Sequence, residues 1–291
     1  MTARNLVRGG LIAVTSAAVS AVFVATALPV AGQGQPARGL TRIAGKPNLN
    51  GTWQALNEAN YDIEEHMASP ALVLRPGPYG PVPAKEVLAL GAVGSVPPGV
   101  GVVVDGPIPY TPAALAKKKE NQQNWISRDP EIKCYQPGVP RATYIPQPFQ
   151  IFQSEKALFF AYQYAGAARN IYLTDPGEAA VDSWMGQSYG KWEGDTLVID
   201  VTGFNDLSWF DRAGNFHSDA LHVVERYTPQ GPDVLMYEAT IEDKKVFTRP
   251  WKISMPLYRR LERNAKLMDF RCVEFVEELL YGAYRKKPLG D

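Results

Sequence analysis

Between Asp200 and Glu225 the chain gathers Asp200, Asp206, Asp211, His217, Asp219, His222 and Glu225. A histidine with an aspartate two residues on can form an oriented acid–base pair. The carboxylate fixes the imidazole tautomer and favours its charged form. On that reading His217 is the general acid or base and Asp219 its orienting partner, with Asp211 or His222 as the complementary group. A straight strand over 217–225 places His217, Asp219 and Glu225 on one face and His222 on the other; a bulge near Ser218 changes that parity. The plainer reading puts His217 and Asp219 in a polar loop mouth and makes His222 a hydrogen-bonded barrel histidine.

Other chemistries fit less well. A zinc site needs three protein ligands and an open position, and strand parity sets His217 against His222, so no metal is expected even with His66 as a further candidate. Asp211-x-Ala213-x-Asn215 is a poor calcium loop, because its twelfth position is His222 rather than Glu. Gly186-Gln187-Ser188-Tyr189-Gly190 matches Gly-x-Ser-x-Gly, but a nucleophile elbow needs a helix after it, and Lys191-Trp192 runs into a hairpin. On a strand, Gly186, Ser188 and Gly190 share a face almost without side chains, leaving room for a ligand or a crossing aromatic. Aromatic residues make up 11% of the chain. Tyr162, Tyr164, Trp184, Trp209 and Trp251, with Ser188, are the candidate ligand-binding set: apolar walls with polar handles. Ordinary core filling is the alternative use of the same residues.

These side chains must be held by a fold, and composition limits the choice. The 291 residues carry 30 Lys+Arg and 30 Asp+Glu, and 45% are hydrophobic. With a sequence pI of about 6.8 and no basic block, nucleic acid is not an expected partner. Arg4 and Arg8 precede an uncharged run from Gly9 to Ala37, with an apolar core over Leu11–Leu28, Pro29, and small residues at Val30-Ala31-Gly32. That is the pattern of a secretory signal peptide over 1–32, followed by a linker over 33–48. It implies a periplasmic or secreted protein that meets the membrane only if the segment stays uncleaved. In an oxidising compartment Cys134 and Cys272, the two cysteines, can form a disulfide; two buried free thiols are the alternative.

From residue 49 the chain has two textures within one expected domain. Sixteen of the 24 prolines fall between Pro47 and Pro148, so 54–147 reads as an irregular excursion. One helix interrupts it near 112–126, with Thr111 as N-cap and Pro112 at the first position. Over 148–273 short β-branched and aromatic runs follow one another: QIFQ, ALFFAYQY, NIYL, YGKW, TLVIDV, ALHVVERY, VLMYEATI, WKISM and LMDFRCV. Trp192-Glu193-Gly194-Asp195 and Pro229–Asp233 mark hairpins. The spacing predicts a mainly β fold: an antiparallel meander that closes into a barrel. A C-terminal helix is expected over 274–285, packed on the barrel exterior.

Gly51-Thr52-Trp53 at a strand start resembles the lipocalin and calycin signature, in which the Trp closes the barrel floor beside a basic residue from a late strand. That resemblance implies a calycin-like barrel and makes Arg271 the candidate partner of Trp53. At a second level, CYQPGVPR (134–141), PFQI (148–151), WMGQSYGKWEGDTLVIDVTGFND (184–206), HSDALHVVERY (217–227) and TRPW (248–251) resemble an abundant, functionally uncharacterised family of exported bacterial β-rich proteins. This resemblance implies export and a β-rich fold, and it brings no catalytic residues with it.

The expectation from sequence is an exported lipocalin-like barrel that binds a small apolar or aromatic molecule without a cofactor, the excursion lying over its mouth. The alternative is a cofactor-independent lyase, hydratase or isomerase that uses the His217–Asp219 pair inside the barrel. A third reading is an envelope protein whose Pro-rich face binds another protein. Oligomeric state and ligand identity are not legible.

Overall fold

The computed structural model describes residues 39–89 and 94–284. The expected signal segment 1–32, and the linker as far as residue 38, lie outside the described residues. Nine strands form the barrel. They are β1 (Gly51–Ala55), β2 (Phe149–Gln153), β3 (Leu158–Tyr162), β4 (Ala168–Tyr172), β5 (Gln187–Glu193), β6 (Thr196–Thr202), β7 (His222–Pro229), β8 (Val234–Glu242) and β9 (Trp251–Arg259). Each pairs with the next, and β9 pairs with β1 (Leu257↔Ala55, Arg259↔Trp53), which closes the sheet. Eight of the nine runs read from 148–273 are these strands. Alternation sets which side chains enter the barrel. In β8 the inward set is Leu235, Tyr237, Ala239 and Ile241; in β9 it is Trp251, Ile253, Met255 and Leu257. Pro256 falls between the stretch of β9 paired with Val103–Val104 and the stretch paired with β1, where no strand asks for its missing N–H.

Three expectations about the strands and the Trp53 partner are corrected. The sheet is mixed, because β4 and β5 run parallel (Ile171↔Ser188, Tyr172↔Tyr189). The connection 173–186 is long enough to carry the chain back before β5 starts, and the antiparallel rule holds only for short links. The run LMDFRCV is not a strand: residues 267–273 are irregular and mostly exposed, since β1 already satisfies the free edge of β9. Arg271 is therefore exposed in that segment and does not meet Trp53. The partner is Arg259, the last residue of β9, whose guanidinium lies 4.3 Å from the Trp53 ring centre. It donates to the carbonyls of Asn50 and, at 2.8 Å, Pro232. Gly51 makes this possible, because a Cβ there would sit 2.0 Å from Arg259 Nη1. The Trp53 indole donates to the Leu49 carbonyl (2.9 Å). The Gly-x-Trp spacing thus has a steric cause: glycine clears the space in which the late-strand cation covers the tryptophan.

The excursion is irregular, with two-residue strand pairs such as Ser69–Pro70 with Ser95–Val96. Helix α1 (Pro112–Gln123) begins as expected, Thr111 Oγ1 accepting from the Ala114 amide. A single turn, α2 (Trp125–Arg128), follows, and another, α3 (Arg141–Tyr144), leads to β2. Cys134 and Cys272 are joined, with Cα atoms 5.7 Å apart. The bridge brings the tail to the excursion. Helix α4 (Val276–Tyr281) accordingly packs beside α2 and residues 71–73 instead of on the barrel wall.

Candidate functional site

The structure separates the expected acid–base pair. His217 is buried against Phe204 and Phe210. Its Nδ1 lies 2.8 Å from the Ser218 carbonyl and must donate; its Nε2, 2.7 Å from Ser208 Oγ, then accepts. Burial lowers its pKa, and both ring nitrogens are occupied. Asp219 is exposed and pairs with Lys245 at 2.5 Å. It does not orient His217, because the chain turns at Ser218, whose amide and hydroxyl are held by the buried Asp243. His222 faces outward on β7, 3.1 Å from Asp200 on the neighbouring strand. Asp211 is buried and fixes a loop: it accepts from the Ile63 amide, the Asn215 amide and Asn215 Nδ2. Burial, then the charge of Asp62, push its carboxyl up to about 7 against those donated bonds. The four residues therefore do not converge on one site. His66 is remote from them in role, its ring nitrogens facing the carbonyls of Glu64 and Pro97.

The expected ligand-binding residues divide similarly. Tyr162 and Ser188 point into the barrel but meet protein. Arg169, inward on β4, donates to Ser188 Oγ (2.9 and 3.1 Å), to the Tyr162 hydroxyl (3.2 Å) and to Glu225 Oε2 (2.5 Å). The other oxygen of Glu225 accepts from Tyr227 (3.0 Å) and Tyr237 (2.8 Å). Phe149 and Phe160 stack beside this network. The space left by Gly190 is taken by Ile171, 2.6 Å from where a Cβ would lie. The middle of the barrel is thus filled by a closed polar knot and aromatic rings. Tyr164 donates to the Glu131 carbonyl and touches Phe270. Trp184 packs on Tyr135, Trp209 bridges to Phe216, and Trp251 is buried between Phe210 and Phe247. These are packing roles at separate places.

The concave space lies elsewhere. A cavity of about 540 Å³ opens beside the barrel, between residues 61–72, the junction of α1 and α2, and α4. Its apolar walls include Tyr61, Leu72, Trp125, Ile126, Leu280 and Tyr281, and its polar groups include Asp62, His66, Arg212 and Glu277. The volume suits a small organic molecule. Behind one wall lies a chain of charges. Arg141 is buried and donates to both oxygens of Asp129 (2.8 and 3.0 Å) and to Glu131 (2.9 Å). Glu131 also takes Arg212 Nε (2.8 Å). Burial opposes ionisation of Glu131, but Arg212 and Arg141 hold its carboxyl down to about 2. The Arg212 guanidinium lies 5.6 Å from the Tyr61 ring centre and 5.4 Å from that of Trp125. Its two terminal nitrogens reach Glu277 (3.2 and 3.0 Å). A second cavity, of about 350 Å³, sits at one barrel end near Ala44, Leu158 and Trp192.

Sequence reasoning missed Arg169, Arg141, Arg212, Glu131 and Glu277. For Arg169 a signal existed, since it shares the inward parity of Ile171. Family models, curated proteins and solved structures were compared with the chain, and none matches.

Proposed function

We propose that this is an exported binding protein for a small apolar or aromatic molecule, held in the cavity beside the barrel rather than inside it. The observation that carries the reading is that cavity: about 540 Å³, walled by Tyr61, Leu72, Trp125 and Tyr281, with a few polar groups at one side. Sites of this size and lining hold organic ligands. Export is supported by the uncharged N-terminal run and by the disulfide, which suits an oxidising compartment.

The test uses N-phenyl-1-naphthylamine, a neutral aromatic dye that brightens in apolar surroundings. The mature chain should bind it, and Ser69→Trp and Gln122→Trp should weaken binding about tenfold by filling the cavity from exposed positions. Phe159→Trp, on the outer barrel wall, should leave binding unchanged. Dye binding that ignores both cavity substitutions would refute the location, and no binding would refute the function.

A further inference from the structure

We infer that Glu277 occupies the seat of a ligand carboxylate on Arg212, so that the cavity takes an aromatic or apolar molecule bearing a carboxylate, which binds by displacing α4. This rests on the cavity being the binding site and adds the ligand's charge and the moving part.

Three features point to it. The first is the geometry at Arg212. The guanidinium is flanked by Tyr61 and Trp125, and Nε is spent on Glu131, which leaves the two terminal nitrogens as a fork toward the cavity side. Glu277 meets that fork with both oxygens (3.2 and 3.0 Å), the bidentate arrangement in which a guanidinium recognises any carboxylate. The second is charge balance. Asp129 and Glu131 already match Arg141 and Arg212, two against two, in pairs of 2.8–2.9 Å. Glu277 is the fifth charge and leaves the group with one excess negative. Exchanging it for a ligand carboxylate keeps that total, whereas adding a second anion beside Asp62, which lines the same cavity, would not. The third is how α4 is held. It has no buried residue and no side-chain N-cap. Its contacts besides Glu277 include partly buried Tyr281 and Tyr284 against Leu72, the Phe275 amide on the Ile132 carbonyl, and the Val73 amide on the Tyr284 carbonyl. The disulfide at Cys272 keeps it attached at its base when the ion pair opens. The helix is therefore a tethered latch whose carboxylate stands in for the ligand's.

The test compares 4-phenylbutyrate, 4-phenyl-1-butanol and 4-phenylbutylamine by calorimetry on the mature, disulfide-intact chain and on Glu277→Gln. An internal carboxylate masks the charge preference in the native chain. Glu277→Gln should therefore raise the preference for butyrate over butanol about tenfold, the worth of one charge-assisted pair. Amide exchange over 276–281 should accelerate when butyrate saturates the native chain and not when butanol does. Should Arg212→Lys fold, it should lose the preference; Glu277→Gln and the exchange data stand without it. The inference is overturned if Glu277→Gln weakens all three ligands alike, if the amine is preferred, or if butyrate slows exchange over 276–281. If butanol binds the native chain but no carboxylate preference emerges in Glu277→Gln, only this inference falls. If none of the three binds either protein, the cavity reading falls with it.

Discussion

The Arg169–Glu225 pair places two opposite charges inside the barrel, and a double-mutant cycle tests what holds them there. Both side chains are essentially inaccessible, at 1% and 0% exposure. Arg169→Met leaves the Glu225 carboxylate in the barrel with only the Tyr227 and Tyr237 hydroxyls as donors. Glu225→Leu leaves the guanidinium with Ser188 and Tyr162. Breaking a buried pair from one side costs about 3–5 kcal/mol, because the remaining charge is uncompensated. For a domain of this size each single variant should melt roughly 6–20 °C lower. The double variant Arg169→Met/Glu225→Leu buries no charge. It strands mainly the Ser188 and Tyr237 hydroxyls, since Tyr227 keeps Thr143 at 3.4 Å, for about 1–3 kcal/mol each. It should cost about 4 kcal/mol, against about 8 for the sum of the singles, which leaves a coupling energy of roughly 4 kcal/mol. Urea unfolding of the disulfide-intact chain, followed by near-ultraviolet circular dichroism, measures all four corners. Additivity within about 0.5 kcal/mol, or single costs below about 1, would refute the closed, dry network and reopen the barrel interior as a wet, ligand-accessible space.

Three further outcomes are expected. Replacing both Cys134 and Cys272 by Ser should cost up to about 4–5 kcal/mol in the chain-entropy model, and amide exchange should rise first over 260–284; strands exchanging as fast as the tail would count against a local role. Two buried groups tilt stability against pH in opposite senses. Asp211, held up to about 7, binds a proton in the native chain that the unfolded chain releases near pH 4, so stability falls as pH rises through that interval. His217, held low by burial, makes stability fall as pH drops below about 6.5. In urea titrations from pH 5 to 8, Asp211→Asn should remove the decline between pH 5 and about 7, and His217→Gln the decline toward pH 5; unaltered slopes would exclude each group as the source. Finally, Gly51→Ala should evict Arg259 from Trp53 and cost about 1–3 kcal/mol, and adding Arg259→Met should cost little more; full additivity would show that the two do not share a cause.

Strand parity carried the barrel because residues two apart must share a face, and that constraint is local. The turn-bounded runs from QIFQ to WKISM became β2–β9, and most alternate, although β6 buries Leu197, Val198 and Ile199 in succession. LMDFRCV has the same composition but no neighbour to pair with, and pairing is not a local property. The parallel step between β4 and β5 escaped for a related reason. Its cause is the length and path of 173–186, where turn residues such as Gly177 mark bends without direction. With the last strand placed over LMDFRCV, Arg271 reads as the partner of Trp53. Once β9 is the closing strand, the register Arg259↔Trp53 leaves no choice.

The acid–base reading failed because proximity along the chain was taken for proximity of function. His217 and Asp219 are two positions apart, yet a turn at Ser218 sends one into the core and the other to Lys245. The charges that do meet are far apart in sequence: Arg212 is 81 positions from Glu131 and 65 from Glu277. One piece of that cluster was nonetheless within reach. A Cys134–Cys272 bridge forces the chain near 131–134 to meet the chain near 272–277, so the acidic residues flanking each cysteine, Glu131 and Glu277 among them, must then find a shared cation. Arg212 is that cation. It sits in the polar stretch between Asp200 and Glu225, but its side chain meets Glu131, Glu277, Tyr61 and Trp125 instead of the acidic residues of that stretch. Arg169 and Glu225, by contrast, have interior parity. Two opposite charges facing inward on strands of one small barrel can only satisfy each other, and in doing so they fill it. The cavity lies outside the barrel, where residues 61–72 of the Pro-rich excursion and the bridged tail at 276–281 both line it.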